Sequence, residues 1–345
     1  MIDLRFGSGG ALAFEVDARV LRIRAARTDA ARRIVDALGN RLPEGTLPAP
    51  SAQLADLPHA HGLVAFGAGH LDARRGELLL SRLIEMGAAV VHRVSSGRIS
   101  LLQDDSLLPT AETRSATVVL APEAAGLGPG ALDARIGRIS ASVGEGWADF
   151  IGVVTVITFV GVAGRPDLPF FSGSTSDFWG AVHLAWPRSD AVLAESLTHE
   201  AAHLWLMLAE DVSPLCADAW RGQLWDSPWR DDARPLGGIV HGAFVFSCAS
   251  LVLAAMVRDG LAGPEVTDRI ARITAQVEAA ALECRASGAL APLGESVIAG
   301  ALARIARSRE PLPGSVCASA VERVMAEQQA KRARRLAGAA APTHG

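Results

Sequence analysis

Two histidines in the middle of the chain stand four residues apart and enclose a glutamate. They are His199 and His203, and with Glu200 they form an HExxH motif. In a helix, residues four positions apart lie on one face, roughly 5–6 Å from each other, which suits two imidazole nitrogens on one metal ion. The surrounding apolar pattern predicts such a helix, with Ser189 or Asp190 as its N-terminal cap. The motif therefore predicts a metal site.

HExxH is the signature of many zinc peptidases, in which the glutamate acts as the general base for water. Two features depart from that pattern. Ala209 stands where the extended motif has a third histidine, and the chain contains no tyrosine to stabilise an oxyanion. The third metal ligand must therefore come from elsewhere in the chain. His241 is one candidate, and three carboxylates remain open as alternatives: Asp211, Asp218 and Asp226.

Composition excludes several classes of protein. The chain has 345 residues, of which 50% are hydrophobic and 20% charged, which is typical of a globular protein rather than a disordered one. The net charge is −4 and the pI about 6.1, so no basic field favours nucleic acid. The four cysteines show no metal-binding spacing, and no signal peptide is recognisable near Met1. We expect a cytoplasmic protein with free thiols and no nucleic-acid partner.

Two uncharged runs require comparison with a membrane span. Residues 150–164 would cover only about 22 Å as a helix, against the ~30 Å hydrocarbon layer, and their β-branched side chains favour a strand. Residues 239–256 approach the length of a span but include His241 and several small polar residues. We interpret the second run as a buried central helix, and we expect no membrane partner.

The periodicities predict an α+β, predominantly helical fold, in which a small mixed β-sheet packs against a helical bundle that carries the HExxH helix. Residues 1–115 form an N-terminal α/β region of unknown role, residues 116–338 the metal-binding catalytic domain, and residues 339–345 a disordered tail. Helices are predicted at 19–38, 71–94, 131–143, 264–287, 293–308 and 316–335, and strands at 11–16, 116–121, 150–162 and 180–186. The polar segment 103–115 is a soft domain boundary.

Several polar segments were interpreted individually. The hydroxyl-rich loop 165–177 precedes the HExxH helix, and its Ser172 and Ser174 are candidate substrate-binding residues in a cleft wall. His59, His61 and His70 have no metal-ligand spacing, so we predict that they lie in loops. Pro235 and the two glycines after it predict a turn that places His241 in the first turn of the following helix. The basic end, residues 331–335, is predicted to be a solvated helix terminus.

Two motifs together resemble the HExxH-type peptide β-hydroxylases of gene clusters for ribosomally made, post-translationally modified peptides. The first motif is Thr198-His199-Glu200-Ala201-Ala202-His203, and the second is Arg234-Pro235-Leu236-Gly237-Gly238-Ile239-Val240-His241-Gly242. Pro228-Trp229-Arg230, the stretch 172–186 and Leu290-Ala291-Pro292-Leu293-Gly294 are also similar to that family. The resemblance covers residues 170–302, and residues 1–150 carry no matching motif.

The resemblance implies a mononuclear non-haem iron(II) enzyme that uses 2-oxoglutarate and O₂ to hydroxylate a side chain of a precursor peptide. His199, His203 and His241 would be the three protein ligands, with a third histidine in place of the more usual carboxylate. The far carboxylate of 2-oxoglutarate suits a guanidinium, for which Arg234 is the candidate and Arg230 the substitute. Glu200 would then no longer be a general base but a residue that supports the site.

Two alternatives remain open. The first is a zinc-dependent peptidase in which Glu200 is the catalytic base. The second is a catalytically idle peptide-binding protein, which predicts no stoichiometric metal. The sequence does not specify the peptide, the modified residue, the use of a leader segment or the oligomeric state.

Overall fold

The computed structural model describes residues 1–7, 11–40, 58–68, 76–81, 92–94, 99–101, 118–120, 129–162, 172–217 and 223–340. It confirms the predicted α+β, predominantly helical fold. The named helices are α1 (Ala18–Gly39), α2 (Pro58–Gly67), α3 (Pro129–Val143), α4 (Glu145–Ile151), α5 (Asp190–Glu210), α6 (Leu236–Arg258), α7 (Pro264–Ala286), α8 (Pro292–Arg309) and α9 (Gly314–Ala340). The strands are β1 (Ile2–Phe6), β2 (Leu12–Val16), β3 (His92–Val94), β4 (Ile99–Leu101), β5 (Val118–Leu120), β6 (Val156–Val162), β7 (Ser172–Ser174), β8 (Ala181–Leu184), β9 (Leu224–Trp225) and β10 (Arg234–Pro235).

Helix α5 carries the HExxH motif and begins where the sequence predicts. The Ser189 hydroxyl caps it by accepting a hydrogen bond from the Val192 amide at 3.2 Å, and Asp190 lies in the first turn, where the helix dipole favours a negative charge. Leucines and Trp205 bury the face that is turned away from the histidines. The last helical residue is Glu210.

Buried hydrogen bonds fix the position of α5 against α4. The Trp147 indole donates to the Thr198 hydroxyl at 2.8 Å, and the Trp205 indole donates to the Phe150 carbonyl at 2.7 Å. Both tryptophans are essentially inaccessible to solvent, so these bonds are costly to break. Because Thr198 immediately precedes His199, they also set the rotation of the HExxH helix about its axis.

Helix α6 is the buried central helix that the sequence predicts. Helices α5, α7 and α8 pack against it. It is the single helix in the described part of the chain that is long and apolar enough to cross a membrane, and 89% of its most apolar window is buried inside the protein. That burial is what a core helix requires, and its apolar surface already has protein partners.

The largest sheet has the strand order β3-β4-β6-β8-β7, and β5 pairs with β6 beside this path. Strands β4, β6 and β8 run parallel to one another, while β3, β5 and β7 are antiparallel to their neighbours. Strands β7 and β8 pack against α5, so this edge of the sheet supports the HExxH helix.

Strand β4 precedes the predicted boundary at residue 115 and pairs with β6 beyond it. The division into two domains stays a prediction.

Several predicted elements are confirmed, including α1, α3, β5, β8 and the three C-terminal helices. Three differ. The run 150–162 is a strand only from Val156, because Phe150 and Ile151 end the unforeseen helix α4. The predicted helix 71–94 is helical at 76–81, but its last three residues form β3. The two glycines after Pro235 lie in the first turn of α6 rather than in a turn before it, which moves His241 to the second turn.

The histidines of the N-terminal region are also placed differently from the prediction. His59 and His61 lie on α2 and are buried, rather than in a loop. His70 lies outside the described residues, as do the Pro-rich segment 41–57, the predicted boundary segment 103–115 and residues 341–345 of the predicted tail. Residues 339 and 340 end α9 instead of belonging to a disordered tail.

Candidate functional site

A cavity of about 650 Å³ opens along the histidine face of α5. Its walls come from α5, α6, α7, β7, β10 and residues 227–230. Its lining residues are Ser172, Glu195, Ser196, His199, His203, Met207, Ser227, Trp229, Arg230, Arg234, Gly238, His241, Gly242, Val245, Phe246 and Arg269. Both motifs that carry the resemblance therefore contribute to one cavity, although they are separated by some thirty residues of sequence.

Three imidazole rings meet in this cavity. The ring centroids of His199 and His203 are 4.9 Å apart, as the spacing within one helical turn predicts. The ring of His241 comes from α6 and lies 5.3 Å from that of His203, with an angle of 23° between the planes. The Nδ1 atoms of His203 and His241 are 3.1 Å apart. Packing of α6 on α5 thus brings the third histidine to the HExxH pair.

The carboxylates that remained open as third ligands are placed differently. Asp211 forms an ion pair with Arg27 at 2.7 Å, and Asp226 one with Arg335 at 2.9 Å. Neither aspartate lines the cavity, and Asp218 lies outside the described residues. Of the third ligands considered, His241 is the one that shares the cavity with His199 and His203.

The chemistry of this donor set fits a metal, although the geometry is not that of a closed site. Over the described ranges, no three His, Cys, Asp or Glu side chains are already arranged to hold an ion. His203 and His241 are instead hydrogen-bonded to each other, and a metal ligand needs its nitrogen unprotonated. A bound ion would have to replace that hydrogen bond.

The environment of the rings favours their neutral form. Burial lowers the pKa of His199 to about 3, and the positive charges of Arg269 and, when protonated, His241 act in the same direction. Burial likewise lowers the pKa of His203 well below its usual value, with further contributions from His199 and His241. At neutral pH both imidazoles of the motif are therefore uncharged, and each has one bare nitrogen that could bind a metal.

Glu200 does not line the cavity. Only 1% of the residue is accessible, and its Oε2 accepts a hydrogen bond from the Ser174 hydroxyl at 2.7 Å. The two serines proposed for substrate binding therefore separate: Ser172 lines the cavity, whereas Ser174 lies against Glu200. The glutamate of the motif is held against strand β7.

Two arginines proposed for the co-substrate carboxylate lie together on the cavity wall. Asp232 pairs with both, its carboxylate lying 2.9 Å from the Arg230 Nε and 2.8 Å from the Arg234 Nε. The hydrogen bond from Arg230 is the main cause of a lowered pKa for the Asp232 carboxyl. The side chain of Arg234 is 38% exposed and that of Arg230 57%, so Arg234 is the better enclosed of the two.

A partly buried ion pair in the cavity wall was not foreseen from the sequence. Arg269 on α7 binds Glu195 on α5 through its Nε, at 3.0 and 3.2 Å, and through its Nη2. Glu195 is four residues before His199, and this spacing alone indicates that its side chain faces the cavity. Arg269 carried no such local signal, because only the packing of α7 brings it there.

Two aromatic rings form another part of the cavity wall. Trp229 and Phe246 stack with centroids 5.1 Å apart, and Phe246 meets His199 edge-on at 4.7 Å. Gly242 makes the stack possible, since a Cβ at that position would lie 2.5 Å from the Trp229 ring. Stacked aromatic rings offer a flat apolar surface for part of a substrate.

The segment that carries Trp229 is held by the C-terminal helices. Gln276 on α7 donates to the Pro228 carbonyl at 2.9 Å, and Lys331 on α9 donates to the carbonyls of Ser227 and Arg230 at 3.2 and 3.0 Å. Lys331 is only 14% exposed, so the predicted solvated terminus does not extend to this residue.

The comparisons with known proteins do not identify a family for this chain. Its sequence matches no family model and no curated protein. What the cavity does must be inferred from its own residues and from the motif resemblance.

Proposed function

We propose that the protein is a cytoplasmic iron(II)- and 2-oxoglutarate-dependent oxygenase that hydroxylates the β-carbon of a side chain in a ribosomal precursor peptide. The observation that carries this proposal is the meeting of His199, His203 and His241 in one cavity with Arg234 on its wall. The HExxH pair could serve several metals, but an additional histidine and a guanidinium in the same cavity suit a metal that also binds an acidic co-substrate.

The side chains in different walls of the cavity would have different roles. The three histidines would hold iron(II), which supplies, with 2-oxoglutarate and O₂, the oxidising power to insert one oxygen atom into a C–H bond. The second oxygen atom leaves in succinate, and the co-substrate loses CO₂. Arg234, held by Asp232, would bind the far carboxylate of 2-oxoglutarate, with Arg230 beside it. Trp229 and Phe246 would orient the peptide and exclude water.

The placement of Glu200 supports this proposal over a zinc peptidase. A general base must reach the water that it activates, directly or through one further water molecule. Only 1% of Glu200 is accessible, and its Oε2 accepts a hydrogen bond from Ser174, so the carboxylate is poorly available to a water molecule in the cavity. The idle binding protein is the other alternative. The convergence of three histidines on one cavity weighs against it, because an idle binding protein requires no set of metal ligands.

The product tests the proposal directly. We expect that the protein, loaded anaerobically with iron(II) and then given 2-oxoglutarate, O₂ and a candidate precursor peptide from a flanking open reading frame, adds one oxygen atom to the peptide. Mass spectrometry should show this gain with an intact backbone, together with one succinate for each hydroxylation. The matched control is the same reaction with zinc(II) in place of iron(II). Backbone cleavage supported by zinc would establish the peptidase instead, and absence of stoichiometric metal would favour the idle binding protein.

Arg234 should dominate the affinity for 2-oxoglutarate. Truncating one partner of a desolvated charge pair costs about 2–5 kcal/mol, and we expect the lower end because more than a third of the Arg234 side chain is exposed. About 2 kcal/mol corresponds to a roughly 30-fold weaker Kd. Arg234→Ala and Arg234→Lys should lose similar affinity, because an ammonium group does not present two parallel donors. Calorimetric titration of the iron(II)-loaded protein with 2-oxoglutarate measures both.

Arg230→Ala is the matched control for this measurement. Its guanidinium shares Asp232 with Arg234 but is more exposed, so its loss should weaken binding only a few-fold. An unchanged Kd in both Arg234 variants together with a large loss in Arg230→Ala would reverse the two roles.

A further inference from the structure

The last residue of the HExxH helix reaches the third histidine. Glu210 lies seven residues after His203, and its Oε2 is 2.7 Å from the Nε2 of His241. On its other side, the Nδ1 of His241 faces the Nδ1 of His203 at 3.1 Å. The three side chains form a continuous hydrogen-bonded row from the edge of the protein into the cavity, with side-chain exposures of 36% for Glu210 and 16% for His241.

The positions of the protons in this row follow from the chemistry of its members. An ionised carboxylate can only accept hydrogen bonds, so the Nε2 of His241 must carry the proton that it shares with Glu210. A neutral imidazole has one N–H group, so the Nδ1 of His241 is then bare and accepts from the Nδ1–H of His203. In turn, the Nε2 of His203 carries no proton. Each ring is left with one unprotonated nitrogen.

The place of Glu210 in the helix gives it no stabilising role there. A negative charge in the last turn of a helix is unfavourable, because that end of the helix dipole is already negative. No residue of the last turn is basic. The hydrogen bond between Glu210 and His241 compensates for this unfavourable position.

We propose that Glu210 is a positioning residue that fixes His241 in the Nε2–H tautomer and so turns a bare Nδ1 towards His203 and the cavity. The inference rests on the proposed function for its purpose, since a metal needs unprotonated nitrogens and a ligating histidine commonly donates its other N–H to a carboxylate. It adds to that function a residue that neither the motif nor the resemblance includes. The same tautomer serves His241 whether it binds the ion or orients His203.

The tautomer is measurable without metal and without substrate. In metal-free protein labelled with ¹⁵N-histidine, at a pH well above the ordinary imidazole pKa of about 6.5, we expect His241 to show a protonated Nε2 and a bare Nδ1. The signal is assigned by its loss in His241→Gln. Glu210→Ala should shift the ring towards the other tautomer, and Glu210→Gln, whose amide oxygen still accepts a hydrogen bond, should preserve it.

Metal affinity supplies the second measurement. Loss of an outer carboxylate partner typically costs 10–100-fold in metal affinity, so we expect such a loss for iron(II) in Glu210→Ala and only a few-fold change in Glu210→Gln. Asp211→Ala is the matched control, because it removes the neighbouring charge at the same helix end while leaving the His241 contact intact.

These experiments can overturn the role of Glu210 and the proposed oxygenase function independently of each other. A His241 protonated at Nδ1 in the wild type, or a Glu210→Ala variant with unchanged tautomer and unchanged iron(II) affinity, overturns the role of Glu210 even if hydroxylation is observed. The expected tautomer and its shift in Glu210→Ala support that role even if the wild type binds no iron(II), a result that would overturn the proposed function alone.

Discussion

Replacing either histidine of the motif should abolish metal binding. In His199→Ala and His203→Ala, we expect the iron(II) affinity to fall by on the order of 10³-fold or more, well beyond the 10–100-fold cost of losing an outer partner, because each variant removes a donor atom. Both rings line the cavity, and burial keeps both neutral. Anaerobic calorimetry and metal analysis of the purified chains measure the loss. His241→Ala should lose most of the affinity as well.

Met207→Ala is the matched control, since Met207 lies one turn beyond His203 on the same cavity wall but contributes no imidazole. It should bind iron(II) with nearly wild-type affinity. The Tm of each metal-free variant shows whether the fold survives, because a truncated side chain in a packed wall also leaves a cavity. Full iron(II) binding by a folded His199→Ala variant would place the metal site elsewhere in the chain.

Local spacing was sufficient to predict the helix of the motif. The positions of His199 and His203, the cap at Ser189 and the apolar periodicity all concern residues within a few turns of one another, and helix formation depends on such local terms. The same reasoning could have been taken further. Glu210 continues the face of the two histidines at helical spacing, and Glu195 precedes His199 by one turn, so both were recognisable as lying on the histidine face of α5.

Other parts of the site depend on packing that no local pattern encodes. His241 reaches His203 only because α6 lies against α5, and Arg269 reaches Glu195 only because α7 packs on α6. The motif resemblance indicated His241, but nothing indicated Arg269. Short strands are unpredictable for a related reason. A three-residue strand such as β3 is stabilised mainly by its partner, so the helical pattern over its residues was misleading.

The glutamate of the motif separates the two enzyme classes most sharply. In a zinc peptidase, Glu200→Gln removes the general base, and turnover should fall by about 10²–10⁴-fold. Under our proposal no general base is required, and we expect at most a roughly 10–100-fold loss from the disturbed support of the metal site. We expect the smaller effect, because only 1% of Glu200 is accessible and its carboxylate is bonded to Ser174. Rates of succinate formation and of peptide hydroxylation measure it.

Because the two ranges meet near 100-fold, the decisive comparison is with Ser174→Ala. Glu200→Gln keeps an amide oxygen that accepts from Ser174, so it should change the Tm little. If Glu200 supports the helix through its bond to Ser174, Glu200→Ala and Ser174→Ala should lower the Tm and the rate in similar proportion. Their double variant should then cost less than the sum of the single changes, since both remove the same contact. A general base would behave differently: Glu200→Gln would be nearly inactive with an unchanged Tm, whereas Ser174→Ala would keep most of its turnover. That second pattern would contradict the oxygenase, because it requires the carboxylate itself to take part in the reaction.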